Sequence, residues 1–95
     1  MKFKIPKPTK TDMIRFYFNQ WDPLKHVEKA GPMFYNYEAE DLAQRIRKNS
    51  RPEKIAEIIQ ELMTDKASIE GFDVIIEEEE CKYIAALIHA WMKGQ

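Results

Sequence analysis

Ser50-Arg51-Pro52-Glu53-Lys54-Ile55-Ala56-Glu57-Ile58-Ile59-Gln60-Glu61-Leu62-Met63 carries the pattern that decides the fold class. Ile55, Ile58, Ile59, Leu62 and Met63 recur at the spacing that stacks side chains on one side of an α-helix, since successive residues turn by about 100°. Lys54, Glu57, Gln60 and Glu61 fall on the other side. The start is marked as well. Ser50 and Glu53 stand in the capping-box positions, where hydroxyl and carboxylate each satisfy a backbone N–H left free at a helix start. The stretch predicts a capped amphipathic helix that needs an apolar partner.

Working outward from it, residues 66–76 break the helical period at Gly71 and predict a loop or short extended piece that returns Phe72, Val74 and Ile75 to the core. Glu77, Glu78, Glu79 and Glu80 then suit the positive end of a helix dipole and open a helix ending at Lys93-Gly94. Cys81, Ile84, Ala85, Ile88, Trp91 and Met92 form its apolar face, and Tyr83 with Leu87 widens that face beyond one stripe, so this helix is expected at the centre. On the other side, Asn36 is placed to cap a helix with Glu38, Glu40 and Asp41 early and Arg45, Arg47 and Lys48 late. Its buried face is Ala39, Leu42, Ala43 and Ile46.

Asp22-Pro23 predicts a further short helix with Asp22 as N-cap, stopped by Gly31-Pro32. Before it, Thr11 is the expected cap of a helix through Met13, Ile14, Phe16, Tyr17, Phe18 and Trp21. Phe16 and Phe18 lie about 200° apart on that helix, so it is either sandwiched or partly exposed. Residues 1–10 hold two prolines and four lysines and predict a basic extended arm. The domain organisation expected is therefore an arm over 1–10 and one helical domain over 11–95. The fold class is all-α, a compact bundle of four to five short helices.

Ninety-five residues with 44% hydrophobic and 33% charged content suffice for one core and leave little for a deep cleft. The single Cys81 cannot form an internal disulfide, which points to a reducing, cytoplasmic setting. The ten-residue uncharged run from Tyr83 to Met92 falls short of the ~20 residues a membrane span needs, and no apolar run follows the first lysines as in a signal peptide. Neither membrane insertion nor export is expected. The net charge of −1 hides a split: residues 1–51 hold 11 Lys/Arg against 6 Asp/Glu, and residues 52–95 hold 4 against 10. Such polarity either steers a partner or draws the two halves of a bundle together.

For chemistry the residues offer little. His26 and His89 lack the paired spacing of metal ligands, and no metal or other cofactor is expected. Cys81 falls in an apolar stripe, where a thiol behaves as a small hydrophobe. The glycines at 31, 71 and 94 build no phosphate loop. Two surfaces stand out. Lys2, Lys4, Lys7 and Lys10, with Arg45, Arg47, Lys48 and Arg51, could neutralise phosphates, although the pI of 6.1 argues for weak, salt-sensitive nucleic-acid binding. Eight of the eleven aromatics lie within the first 37 residues, more than one small helix can readily cover.

Trp21-Asp22-Pro23-Leu24, Gly31-Pro32, Tyr37-x-x-Glu40 and the Ser50-x-x-Glu53 helix start resemble the YugE-like family of small Bacillus proteins, over about residues 14–63. The chain departs from that family in carrying Phe34-Tyr35 where acidic residues are usual. The resemblance implies a compact bacterial helical domain of unknown function and supplies no catalytic residues.

The function expected is a non-enzymatic cytosolic interaction or regulatory module, with an immunity-type inhibitor as one form. It would dock a protein partner or a second copy through Phe18, Trp21, Phe34 and Tyr35. The alternative is a nucleic-acid accessory protein using the basic arm, and a small hydrolase ranks third.

Overall fold

The computed structural model describes residues 7–95. Five helices follow in order: α1 (Lys10–Trp21), α2 (Val27–Ala30), α3 (Asn36–Arg45), α4 (Pro52–Glu70) and α5 (Glu78–Lys93). Among the described residues there is no strand, and the all-α class stands. α1 packs against α3 and α5, and α4 packs against the same two helices from the other side. The four longer helices therefore form a closed ring. α5 is one wall of that ring rather than its centre, which is why Tyr83 and Leu87 are left outside the fully buried set.

The apolar stripes read from the sequence form the core. Ile55, Ile58, Ile59, Leu62 and Met63 of α4 are buried, as are Ala39, Leu42, Ala43 and Ile46 from α3 and its end, and Cys81, Ile84, Ala85, Ile88 and Met92 of α5. Ile14 and Phe18 close the core from α1.

α5 opens at Glu77–Glu80 as expected, but the starts of α1, α2, α3 and α4 differ from the sequence expectation. α1 begins two residues earlier than Thr11 implies. Thr9 is its N-cap, accepting from the Asp12 N–H at 3.1 Å while Asp12 accepts from the Thr9 N–H at 3.0 Å. Lys10 thus belongs to the helix, not to the arm; residues 1–6, most of the expected arm, lie outside the described residues. At α4 no capping box forms: Arg51 holds the N-cap position, and the Ser50 hydroxyl instead accepts from the Arg47 N–H at 2.8 Å, closing the preceding turn. Asn36 is the first residue of α3 rather than its cap. It spends its amide on Arg15 Nη1 at 2.6 Å and on Glu40 at 3.1 Å. α3 stops at Arg45, leaving Arg47 and Lys48 in the following loop.

Lys66 to Glu70 remain helical and α4 ends only at Gly71, whose positive φ of 78° accommodates the left-handed cap. The segment after it is a loop. Ile76 returns to the core and Phe72 packs against it, but Ile75 stays 84% exposed.

Asp22 shows the largest difference. It does not open a helix at Pro23; it is the C-cap of α1, in the left-handed region at φ 44°, which Asp tolerates better than most residues. From there its carboxylate accepts from the backbone N–H of His26 at 3.0 Å and of Val27 at 3.3 Å, at the start of α2 four residues on. It also accepts from the Tyr35 hydroxyl at 2.7 Å. One carboxylate thus ends α1, caps α2 and satisfies a buried phenol.

Two stability measurements follow. Ile59→Ala, at a fully buried position of α4, should destabilise the fold by about 2–5 kcal/mol in chemical denaturation, because the ring of helices cannot collapse onto the gap. Asp22→Ala should cost about 2 kcal/mol, more than the ~1 kcal/mol of a simple cap, since the Tyr35 hydroxyl loses its acceptor as well.

Candidate functional site

The four aromatics expected to form a docking face do lie together, but they run through the protein rather than across it. Trp21 and Phe18 have ring centroids 6.3 Å apart, Phe18 and Tyr35 6.4 Å, and Tyr35 and Phe34 4.8 Å. Phe18 and Tyr35 are 0% exposed. Burying a side chain such as Phe18 is worth about 1.5–3 kcal/mol, so the fold places these two inside, and they cannot contact a partner. Tyr35 is further held by the hydrogen bonds of its hydroxyl, donated to Asp22 and accepted from the Leu24 N–H at 3.0 Å. Burial and the Asp22 carboxylate push its phenol well above the ordinary range. It is a neutral structural donor.

Phe34 emerges on one side and is covered there. His26 packs on it at 5.0 Å and Phe72 at 6.3 Å, and the buried Lys66 ammonium lies 4.2 Å from its ring centroid. Lys66 in turn pairs with Glu38 at 3.3 Å and with Glu70 at 4.0 Å, so the charge is not stranded. This is an internal clasp joining the α2 region, α3 and α4.

Trp21 emerges on the other side, and there the surface is open. Phe16, Tyr17, Gln20 and Trp21 of α1 face Glu79, Glu80, Tyr83, Ile84 and Leu87 of α5 across a groove of about 530 Å³. Trp21 Nε1 donates to Glu80 Oε1 at 2.7 Å, fixing the indole as one end of the groove. Phe16 is 52% exposed and Tyr83 66% exposed, while Tyr17, Trp21 and Leu87 are half-buried in its floor. Phe16 stands edge-on to Tyr17 at 5.7 Å. Among the described residues the charged side chains lining the groove are Glu79 and Glu80, beside Gln20, the Trp21 indole N–H and the Tyr17 and Tyr83 hydroxyls, so its charge is acidic. Of the four residues expected from the sequence, Trp21 alone belongs to this groove. The sequence signal for the others was the Tyr83–Leu87 spacing that widened the α5 stripe, together with Phe16 and Tyr17 on the far side of α1.

Among the described residues no three His, Cys, Asp or Glu side chains converge as metal ligands. Cys81 is fully buried, and burial first, then the Glu80 and Glu78 charges, push its thiol up to about 11. Among the described residues no helix is long and apolar enough to cross a membrane.

Residues 12–92 match a family described as a domain of unknown function, DUF1871. The chain belongs to this family. The match spans α1 to α5, so both the clasp and the groove lie within the family's domain. No curated protein and no solved structure matches the chain.

Cys81 offers a direct test of the burial of α5's apolar face. Because its folded thiol titrates above the unfolded one, the stability this group contributes is intact below ~8.5 and is lost as pH rises towards 11. At mildly alkaline pH, iodoacetamide should alkylate the native protein about a hundredfold more slowly, or slower still, than the urea-unfolded chain, as followed by mass spectrometry.

Proposed function

We propose that the protein is a non-enzymatic docking module that receives a partner protein's segment in the groove between α1 and α5, the partner residue seated there being aliphatic or aromatic with a Lys or Arg beside it. The observation that carries this reading is the pair of large aromatics, Phe16 and Tyr83, left in water on the two walls of one groove. Aromatic side chains present 150–250 Å² each, and covering such surface is favourable by roughly 25 cal/mol per Å². Aromatic residues on a pre-formed surface are also the preferred anchors of protein interfaces.

The partner's charge follows from the rim. Glu79 and Glu80 are the charged residues lining the groove, and Glu77 and Glu78 precede them in the chain. Glu78 and Glu79 already pair with Lys82 at 3.4 and 3.3 Å, so a cation beside the docking residue is attracted chiefly by Glu77 and Glu80, and an acidic segment is repelled by them. Trp21 is already held by Glu80, so little side-chain freedom is lost when the groove fills. The buried, weakly acidic Cys81 supports a role without covalent chemistry. A lone buried thiol and the likeness to the YugE-like proteins of Bacillus favour a bacterial cytoplasmic setting, where such a module would regulate or inhibit the protein it docks.

Selection from a displayed library of random short peptides tests this. Enriched peptides should combine Phe, Trp, Leu or Ile with Lys or Arg. Phe16→Ala and Tyr83→Ala should each weaken their binding by about tenfold or more while leaving the melting temperature almost unchanged. Phe18→Ala, in the core, should instead lower the melting temperature. No enrichment, acidic consensus peptides, or binding indifferent to Phe16 and Tyr83 would overturn the proposal.

A further inference from the structure

Two basic stretches that are far apart in the chain meet at the opposite end of the α1–α5 seam. Lys10 opens α1, Arg47 and Lys48 lie in the loop after α3, and Trp91, Met92 and Gln95 come from the end of α5; together they line a recess of about 390 Å³. Its volume lies within the range of roughly 300–1,000 Å³ typical of small-molecule sites.

The recess gathers three cations that no Asp or Glu side chain neutralises. Arg15, Arg45, Lys54, Lys66 and Lys82 each have a side-chain carboxylate within 4.0 Å. Among the described residues Lys10, Arg47 and Lys48 have none, as is also true of Lys7, Lys25, Lys29, Arg51 and Lys93, but these three line one recess. They rest instead on main-chain oxygens: Lys10 Nζ donates to Ile46 O at 2.8 Å, Arg47 Nη1 to Gln44 O at 2.9 Å and to Ile46 O at 3.1 Å, and Lys48 to Gln95 O. Carbonyls at the end of α3 attract cations through the helix dipole, which accounts for Arg47 and Lys10 approaching them. It does not use up their donors. An ammonium carries three N–H bonds and a guanidinium five, so each of these groups retains free donors for an anion. Burial first, and then the Arg47 charge, hold the Lys10 ammonium below its usual range, a penalty that an anion between the two would relieve.

The third wall is apolar. Trp91 is half-buried and Met92 buried, so the recess offers an indole and a thioether beside three cations. Phosphate oxygens match Lys and Arg donors, and an aromatic side chain offers a stacking surface to any base.

We propose that this recess binds a nucleoside phosphate, free or within a single-stranded nucleic acid, with the phosphate among Lys10, Arg47 and Lys48 and the base against Trp91. The site is separate from the acidic groove and does not depend on the docking role. It also joins two features that the sequence offered separately, the foot of the basic arm and the Arg47-Lys48 cluster.

Titration of the full chain at ~50 mM salt with inorganic phosphate, AMP and a labelled oligothymidylate tests the proposal. AMP should bind at least tenfold more tightly than phosphate. If a strand is the source, the oligonucleotide should exceed AMP, with log affinity falling against log salt at a slope of about −2 for three phosphate contacts. If the source is a free nucleotide, AMP should match it. Arg47→Glu and Lys48→Glu should each abolish binding with little change in melting temperature, and Trp91→Leu should remove the advantage of AMP over phosphate. Absence of AMP and oligonucleotide binding, indifference to Arg47→Glu and Lys48→Glu, or equal binding of phosphate and AMP would overturn it.

Discussion

A phenol with a fully buried ring has to place its hydroxyl on hydrogen-bonding partners, and the way Tyr35 does so organises the first half of this protein. Its oxygen donates to the Asp22 carboxylate and accepts from the Leu24 N–H, so the chain leaving α1 must fold back to bring residues 22–24 over the start of α3. That return requires Asp22 in a left-handed conformation, and the same carboxylate then starts α2. Phe18 packs against one side of the phenol ring and Phe34 lies close on another, and Phe34 carries Lys66 and His26 with it. Truncating the ring would leave Asp22, Leu24 and the clasp without their common support.

Because that network occupies the inner face of α1, the remaining aromatics on the helix are forced outward. Phe18 and Ile14 face the core, and Phe16 and Tyr17 turn towards α5 and solvent. α5 answers with Tyr83 and Leu87, which lie outside its buried stripe. The groove is thus the seam left where two helices with wide apolar faces meet at their edges. Its Trp21–Glu80 hydrogen bond ties the end of α1 to the beginning of α5.

α1 and α5 run in opposite directions along this seam, since the end of α1 meets Glu80 while its first residue meets Trp91. The charge split of the sequence becomes a spatial gradient as a result. Four glutamates sit at the N-terminus of α5, where its dipole favours them, and three cations gather near its C-terminus. The split does not act as a general attraction between halves: Arg45–Glu61 follows it, whereas the better-buried Lys66–Glu38 pair runs against it. Its main consequence is one acidic aromatic surface and one basic recess at the two ends of a single seam.

Helix type, the core stripes of α3, α4 and α5, and the end of α5 at Gly94 were legible in the sequence, because a 3.6-residue apolar period is a local property that any globular context must bury. The caps were less so. Ser50, Asn36 and Asp22 are all residues with cap chemistry, yet each took a competing partner: the local Arg47 N–H for Ser50, the distant Arg15 for Asn36, and both the nearby start of α2 and the more distant Tyr35 for Asp22. The open aromatic groove was the hardest to read, since aromatic density marks both a buried core and an exposed surface. Which aromatics were covered depended on the faces that α3 and α5 presented to α1, so Phe18 and Tyr35 went inside while Phe16 and Tyr83 stayed out. Periodicity says how one helix divides its residues between two sides; only the packed ring decides how many sides are buried.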